Sequence, residues 1–209
     1  MSGRPPERHN TFFNLTDALA AKGCAFCALA AKAAEDNLGA TLYENVNNPD
    51  TRRALSASLG WCASHARLAL QLRDAFGIAM LYEALCREIA SRIESGDMPA
   101  VTSCPVCKTV RETEARYIGE FCGHIGEPDF RERFCASDGF CLAHFAQVMR
   151  AATDGARSIV QSHQAKTLQM LAEELKSFVK KHDYQNSTAI GPEADAWLRA
   201  LDKIAGKDP

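Results

Sequence analysis

Apolar side chains recur along this chain at the three- and four-residue spacing of an α-helix. The clearest stripes are Leu81, Leu85, Ile89 and Ile93 in the first half, and Leu168, Leu171, Leu175 and Phe178 in the second. This spacing puts side chains on one face of a helix. Runs of β-branched residues that alternate with polar ones are almost absent, so strands are not indicated. The pattern predicts an all-α protein.

Proline and glycine mark where several of these helices begin and end. Pro105 suits the first position of a helix, because the N–H that proline lacks has no intrahelical partner there. Pro49 and Pro128 predict the starts of two short helices. Gly60 and Gly139 predict their ends, as residues just past the last helical position.

The chain also matches itself over four landmarks that occur twice in the same order. The offset is 80 residues at the first two landmarks and 79 at the last two. The matching pairs are Cys24-x-x-Cys27 with Cys104-x-x-Cys107, Leu38-Gly39 with Ile118-Gly119, Pro49-Asp50 with Pro128-Asp129, and Gly60 to His65 with Gly139 to His144. Ordered matches with one single-residue gap predict two pseudo-symmetric helical repeats.

These landmarks suggest a division of the chain. We assign residues 12–96 to the first repeat, 100–184 to the second, and 185–209 to a C-terminal helix and tail. The boundary between the repeats is Gly96-Asp97-Met98-Pro99, a turn-forming stretch. The terminal helix is predicted from Gly191 through Ile204, with Trp197, Leu198 and Leu201 on an apolar face.

Each repeat carries a Cys-x-x-Cys pair followed by a Cys-x-x-His pair, which is the donor set of a structural zinc site. Joining the pairs within each repeat predicts two Cys3His sites. The first is Cys24, Cys27, Cys62 and His65, and the second is Cys104, Cys107, Cys141 and His144. Four protein ligands leave no open position for water, so two structural zinc ions per chain are expected.

Three other interpretations of these eight residues remain open. The half-sites of the two repeats can pair across the repeats, which changes the assignment but not the ligands. A Cys3His set can hold an iron–sulfur cluster. Cys104-Pro105-Val106-Cys107 at a helix start can be a redox dithiol, although the βαβ setting usual for that chemistry is missing.

Other residues near the motifs have simpler roles. Three thiolates and a neutral imidazole leave a bound zinc with one negative charge, which Lys22, Arg67 or Lys108 can offset. Cys86 lies in an apolar helix pattern and is expected to pack in the core. Cys122 and Cys135 have no cysteine in the sister repeat, and core packing is expected for them too, with an accessory thiol as the alternative.

Composition and charge narrow the compartment and the partners. The chain has 209 residues, of which 46% are apolar and 24% charged, and its net charge of −2 gives no basic field for nucleic acid. The first ten residues lack the apolar segment of a secretory signal, and no apolar stretch is long enough to span a bilayer. Nine cysteines in such a chain favour metal ligands over disulfides. We therefore expect a cytoplasmic protein that contacts no membrane and is not suited to nucleic acid.

Three segments of the second repeat resemble the motifs of a known family. They are Cys104-Pro105-Val106-Cys107, Arg131-x-x-Phe134 and Gly139 through Phe145. They are similar to the second-half motifs of the prokaryotic domain-of-unknown-function family six-zero-six-two (DUF6062), whose members also begin with a CxxC and GxCxxH half. The resemblance covers residues 12 to 205 and includes Asp183 to Asn186 after the long helix. It departs at Ala25-Phe26 and Ala66, away from the ligands, and it implies no activity.

The sequence predicts a zinc-stabilised scaffold or binding protein whose partner is an unknown protein or small molecule. The alternative is a redox or metal-sensing protein that uses the same thiols. A metal-dependent enzyme would need a catalytic base near the metal, and no Ser/His/Asp set or pair of carboxylates stands out in the sequence.

Overall fold

A computed structural model describes residues 8–97, 102–182 and 189–207. Helices account for the regular structure of these residues, and no strand occurs among them, which confirms the all-α prediction. The helices are α1 (Asn10–Ala20), α2 (Ala25–Tyr43), α3 (Pro49–Ala57), α4 (Ala63–Gln71), α5 (Ala75–Ser95), α6 (Pro105–His124), α7 (Pro128–Ala136), α8 (Leu142–Ala151), α9 (Asp154–Lys181) and α10 (Ala196–Ala205), with a 3-10 turn at Pro192–Asp195.

The prolines begin helices where the sequence predicts. Pro49, Pro105 and Pro128 are the first residues of α3, α6 and α7. The glycines lie slightly further from the helix ends than predicted. Gly60 and Gly139 follow the last residues of α3 and α7 by three positions, and both have positive φ values, of 98° and 72°. They therefore shape the turn that leads into the next helix.

The chain divides into two compact units that do not coincide with the two sequence repeats. Of the described residues, those within 8–29 and 115–207 form unit 1, and those within 30–114 form unit 2. The boundaries fall inside α2 and α6, so each of these helices contributes to both units. Each unit therefore contains helical segments from both repeats. The proposed boundary at Met98-Pro99 and the family-like segment Asp183 to Asn186 lie outside the described residues.

The core of unit 1 is rich in aromatic side chains. Phe26, at the start of α2, has its ring centroid 4.7 Å from that of Phe140 and 6.1 Å from that of Phe121. Phe134 stacks on Phe140 at 5.2 Å, and all four side chains are almost fully buried. Phe26 directly precedes Cys27, and Phe140 directly precedes Cys141. The packing of these two rings in the core therefore fixes the positions of both cysteines.

The core of unit 2 is mainly aliphatic. Its buried members include Leu38, Leu42, Leu55, Leu81 and Leu85, together with Trp61. They come from α2, α3 and α5 and from the turn before α4. This core supports the residues around Cys62 much as the aromatic core supports those around Cys141.

Helix α10 forms at the predicted place, but its apolar side chains do not point into the core. The side chains of Trp197, Leu198, Leu201 and Ile204 are about half exposed, whereas Ala196 and Lys203 are buried. The inward face of α10 thus carries a charged residue, and the apolar face meets solvent. No helix in the described part of the chain is both long and apolar enough to cross a membrane.

Two of the three cysteines expected in the core are exposed. Cys86 and Cys135 lie at the surface, whereas Cys122 is partly buried and packs against the core of unit 1. Cys86 directly follows Leu85, and a step of one residue turns a side chain about 100° around the helix. It therefore lies off the buried stripe of α5.

Candidate metal centres

The eight predicted ligands gather into two groups of four, and each group takes half of its members from each repeat. Centre 1 consists of Cys24, Cys27, Cys141 and His144, and centre 2 consists of Cys62, His65, Cys104 and Cys107. Within each group the sulfur and imidazole nitrogen atoms all lie within 4.8 Å of one another.

The assignment of one site to each repeat is therefore wrong. The start of α2 meets the start of α8 in unit 1, and the start of α6 meets the start of α4 in unit 2. The physical reason is that α2 and α6 each pass from one unit into the other. The Cys-x-x-Cys pair at the head of each helix is thus in a different unit from the Cys-x-x-His pair that follows it in sequence.

All four half-sites use the same position at a helix N-terminus. Cys24, Cys62, Cys104 and Cys141 each directly precede a helix, and their carbonyls accept from the residue four positions on, at 2.8–3.2 Å. Cys27, His65, Cys107 and His144 are the third residues of those helices. Each centre therefore faces two helix N-termini, whose partial positive charges stabilise thiolates.

The distances in centre 1 match those around a single tetrahedral ion. Zinc binds sulfur at about 2.3 Å and nitrogen at about 2.0–2.1 Å. In a tetrahedral site these bond lengths place two sulfur ligands about 3.8 Å apart, and a sulfur and a nitrogen ligand about 3.6 Å apart. His144 Nδ1 lies 3.1 Å from Cys141 Sγ, 3.4 Å from Cys27 Sγ and 3.5 Å from Cys24 Sγ. Cys27 Sγ and Cys141 Sγ are 3.7 Å apart. The donor atoms are thus already at the spacing that zinc requires.

Centre 2 has the same arrangement. His65 Nδ1 lies 3.1 Å from Cys62 Sγ, 3.3 Å from Cys107 Sγ and 3.7 Å from Cys104 Sγ. Cys62 Sγ and Cys107 Sγ are 3.7 Å apart. In both centres Nδ1 is the imidazole atom that faces the sulfurs, so we infer coordination through Nδ1.

The two centres differ in their access to solvent. In centre 1 only Cys24 is partly exposed, since Cys27, Cys141 and His144 are buried. In centre 2 both Cys62 and Cys107 are partly exposed. A metal ion in centre 2 would therefore be the more accessible to a competing chelator.

The metal-free thiols of centre 1 share protons unevenly. Hydrogen bonds from the thiols of Cys24 and Cys27 hold the pKa of Cys141 well below its usual range, and they outweigh the opposing effect of burial. The same bond with Cys141 raises the pKa of Cys27, because Cys27 keeps the proton that it donates. Hydrogen bonding in the metal-free centre therefore favours the thiolate form of Cys141.

Centre 2 shows the same asymmetry. Burial disfavours ionisation of Cys62, but hydrogen bonds from the His65 backbone N–H and the Cys107 side chain lower its pKa below the usual value. Burial and the hydrogen bond with Cys62 raise the pKa of Cys107 to about 12. A metal ion must therefore displace a proton from Cys107 to bind there.

Helix α10 and the residues that follow it supply a charge and a hydrogen bond to centre 1. The Lys207 backbone N–H donates to Cys27 Sγ. Lys203 is buried, and its ammonium interacts favourably with Cys24 and Cys141. The sequence instead suggested Lys22, Arg67 or Lys108, of which Lys108 is mostly exposed with its ammonium near Glu112. Lys203 lies about 60 positions from the nearest ligand and on a helix that looks amphipathic, so no sequence signal identified it.

The turns that precede the ligands are held by specific hydrogen bonds. The Asp138 carboxylate accepts from the Gly23 N–H at 2.7 Å, which ties the turn before α8 to the turn before α2. Gln164 accepts from the Phe140 N–H at 3.0 Å and donates to the Phe140 carbonyl at 2.9 Å. In unit 2 the Trp61 N–H donates to the Tyr82 hydroxyl at 3.2 Å. These bonds preset the backbone beside each centre.

Comparison with known proteins identifies a family but no activity. The sequence model described as "Family of unknown function (DUF6062)" matches residues 9–101 and again residues 98–209. The two matches agree with the duplicated motifs and with the two groups of cysteine and histidine. No curated protein and no solved structure matches the chain.

Proposed function

The chain belongs to the family of unknown function DUF6062, and we propose that it is a zinc protein whose two Cys3His centres stabilise a helical binding protein. The observation that carries the proposal is the donor geometry, because the four ligand atoms in each centre all lie within 4.8 Å of one another, close enough to share one tetrahedral ion. Zinc would be held by Cys24, Cys27, Cys141 and His144 in centre 1, and by Cys62, His65, Cys104 and Cys107 in centre 2.

The donor spacing favours a single ion over an iron–sulfur cluster. In a cubane cluster each thiolate binds a different iron atom, which spreads the ligand sulfurs further apart than the ligands of one ion. Here Cys27 Sγ and Cys141 Sγ are only 3.7 Å apart, and so are Cys62 Sγ and Cys107 Sγ. The thiolate and imidazole set is one that zinc prefers, and we assign the protein to the reducing cytoplasm, where such thiols stay available.

A structural role follows from the completeness of the ligand sets. Four protein ligands fill a tetrahedral zinc and leave no position for a water nucleophile. The ligands that each ion would join are also distant in sequence, with 114 positions between Cys27 and Cys141 and 45 between Cys62 and Cys107. An ion that closes such long loops removes much of the conformational freedom of the unfolded chain.

A binding role is supported by the apolar face of α10. Trp197, Leu198, Leu201 and Ile204 recur at helical spacing and are about half exposed. Contiguous apolar surface of this kind is typical of sites that contact another molecule. The helix ends beside centre 1, where an alanine side chain at Gly206 would approach Cys141 Sγ to 3.5 Å. Metal occupancy would thereby help to hold α10 in place.

One feature favours a metal-sensing or redox function as the second candidate. Cys62 and Cys107 of centre 2 are partly exposed, and Cys62 has a lowered pKa. An accessible thiolate can exchange its metal or be oxidised. This alternative predicts that centre 2 loses its ion to a chelator or to mild oxidant much sooner than centre 1.

The test is metal analysis of the protein purified anaerobically without added metal, together with its absorbance spectrum. The proposal predicts about two zinc ions per chain and no visible band. Iron with a visible band would contradict it, as would intact Cys24–Cys27 or Cys104–Cys107 disulfides without metal. Stepwise chelation followed by circular dichroism then separates the two roles, because a structural ion is lost together with helical structure.

A further inference from the structure

Unit 1 contains a cavity of about 320 Å³ next to centre 1. Its walls come from the turns at Gly23-Cys24 and Cys135–Asp138, from α9 between His163 and Glu174, and from α10 between Arg199 and Lys203. A volume of about 300–1,000 Å³ is usual for small-molecule sites. A second cavity, between α3 and α5 in unit 2, is about 50 Å³.

The acidic groups on the cavity wall already have partners. Asp138 accepts from the Gly23 N–H, and Glu174 pairs with Arg199. Asp202 lies 3.0 Å from the Lys207 ammonium. Arg199 is itself engaged twice, since it also pairs with Asp195 at 2.8 Å. Each of these charged groups therefore has a partner within unit 1.

Two lysines, Lys166 and Lys203, also line this cavity. Lys203 is buried, and its ammonium donates to the backbone carbonyl of Asp138. Its charge also interacts favourably with the Asp138 carboxylate and with Cys24 and Cys141, but an ammonium has three N–H donors, so one hydrogen bond leaves donors for a ligand. Lys166 is exposed and pairs with no carboxylate within the described ranges. Lys166 and Lys203 both line the cavity, as does His163 three positions before Lys166 on α9.

An apolar surface lies beside these lysines. Met170 and Leu171 line the cavity one turn further along α9, and the Met170 side chain is 56% exposed. A methionine side chain is flexible and adapts its shape to an apolar partner. The cavity therefore offers the two ammonium groups of Lys166 and Lys203 next to an apolar wall.

We propose that this cavity binds a small organic anion, whose carboxylate or phosphate contacts Lys166 and Lys203 and whose carbon chain lies on Met170 and Leu171. This inference deepens the binding role proposed above by naming a ligand class. Carboxylate and phosphate share the chemistry that two ammonium groups recognise, so the experiment separates them.

The test is calorimetric titration of the zinc-loaded full chain with three probes of equal chain length: hexanoate, hexyl phosphate and hexylammonium. At least one anion is expected to bind about tenfold or more tightly than hexylammonium, because charge-assisted hydrogen bonds favour the anion. The preferred anion identifies the head group. Lys166→Gln should weaken that anion about fivefold or more, whereas Lys176→Gln, a mostly exposed lysine on α9 outside the cavity, should leave its affinity within about twofold.

Binding of neither anion would overturn the proposal, as would equal binding of hexylammonium. Equal effects of Lys166→Gln and Lys176→Gln would also overturn it, because the attraction would then be a general surface effect. Zinc is measured on the same samples. Two zinc ions without anion binding would reject this inference alone, whereas absence of zinc would reject the proposed metal centres whatever the anions do.

Discussion

Cys27 and Cys141 are 114 positions apart in the sequence, yet their sulfur atoms lie 3.7 Å apart in centre 1. Cys27 belongs to the first repeat and Cys141 to the second, so this contact joins the two repeats within unit 1. Cys62 and Cys107 make the reciprocal contact in unit 2 at the same distance. Each proposed zinc ion therefore links the Cys-x-x-Cys pair of one repeat to the Cys-x-x-His pair of the other.

Loss of one buried ligand should destabilise the protein much more than loss of a surface thiol. Cys141→Ser removes a buried sulfur from the four ligand atoms of centre 1. We expect it to lower the free energy of unfolding by about 4 kcal/mol or more, since loss of a structural metal is among the most costly changes. Cys135→Ser, at an exposed cysteine outside both centres, should change it by less than about 0.5 kcal/mol. Denaturant unfolding measures both, and equal losses would contradict a role for Cys141 in metal binding.

Zinc binding should release protons, and the apparent affinity should fall as the pH falls. Cys107 has a pKa raised to about 12 and Cys27 a raised pKa, so both are protonated at neutral pH in the metal-free protein. Cys141 and Cys62 have lowered pKa values, so they release fewer protons than the other thiols when a metal ion binds. Because zinc binds thiolates, acid opposes binding and alkali favours it.

Calorimetry in buffers of different ionisation enthalpy gives the number of protons released. We expect at least one but fewer than three protons per zinc, because hydrogen bonds already favour the thiolate form of one cysteine in each centre. Release of no protons, or an affinity that does not change between pH 6 and pH 8, would contradict the assignment of these thiols as ligands.

Gly139 should be intolerant of a side chain. Its φ is +72°, and a Cβ atom there would lie 2.9 Å from Gln164 Oε1, the atom that accepts from the Phe140 N–H. Gly139→Ala is expected to cost about 1–3 kcal/mol of stability through strain and loss of that bond. Thermal or denaturant unfolding measures this change.

Gly119 provides the matched control for that substitution. It lies inside α6, and a Cβ atom there would meet nothing within 4 Å. Gly119→Ala should therefore raise stability by about 0.5–1 kcal/mol, because alanine favours the helix. Equal effects of the two substitutions would show that the turn before Cys141 does not need its left-handed backbone.

Much of this architecture follows from local patterns in the sequence. Apolar spacing predicts helices, and Pro49, Pro105 and Pro128 begin three of them as expected. The Cys-x-x-Cys and Cys-x-x-His spacings identify all eight residues that lie in the two groups. These features depend on neighbours within one helical turn, which a sequence pattern records directly.

The pairing of the half-sites could not be obtained in this way. Each Cys-x-x-Cys is separated from the next Cys-x-x-His by 33 or 34 residues in both repeats, so spacing alone favours the assignment within a repeat. The decisive feature is the passage of α2 and α6 from one unit to the other, which is a tertiary property. Lys203 and the outward apolar face of α10 escaped prediction for the same reason, since burial there depends on partners distant in sequence.

The most direct test of this account counts the zinc ions in two double variants, with Cys86→Ser as the control at an exposed cysteine. The first variant, Cys27→Ser with Cys141→Ser, removes two ligands from centre 1 and none from centre 2, so one zinc ion per chain is expected. Cys27→Ser with Cys62→Ser damages both centres, so none is expected. The opposite result, with no zinc in the first variant and one ion in the second, would show that each site lies within a single repeat and would contradict the account.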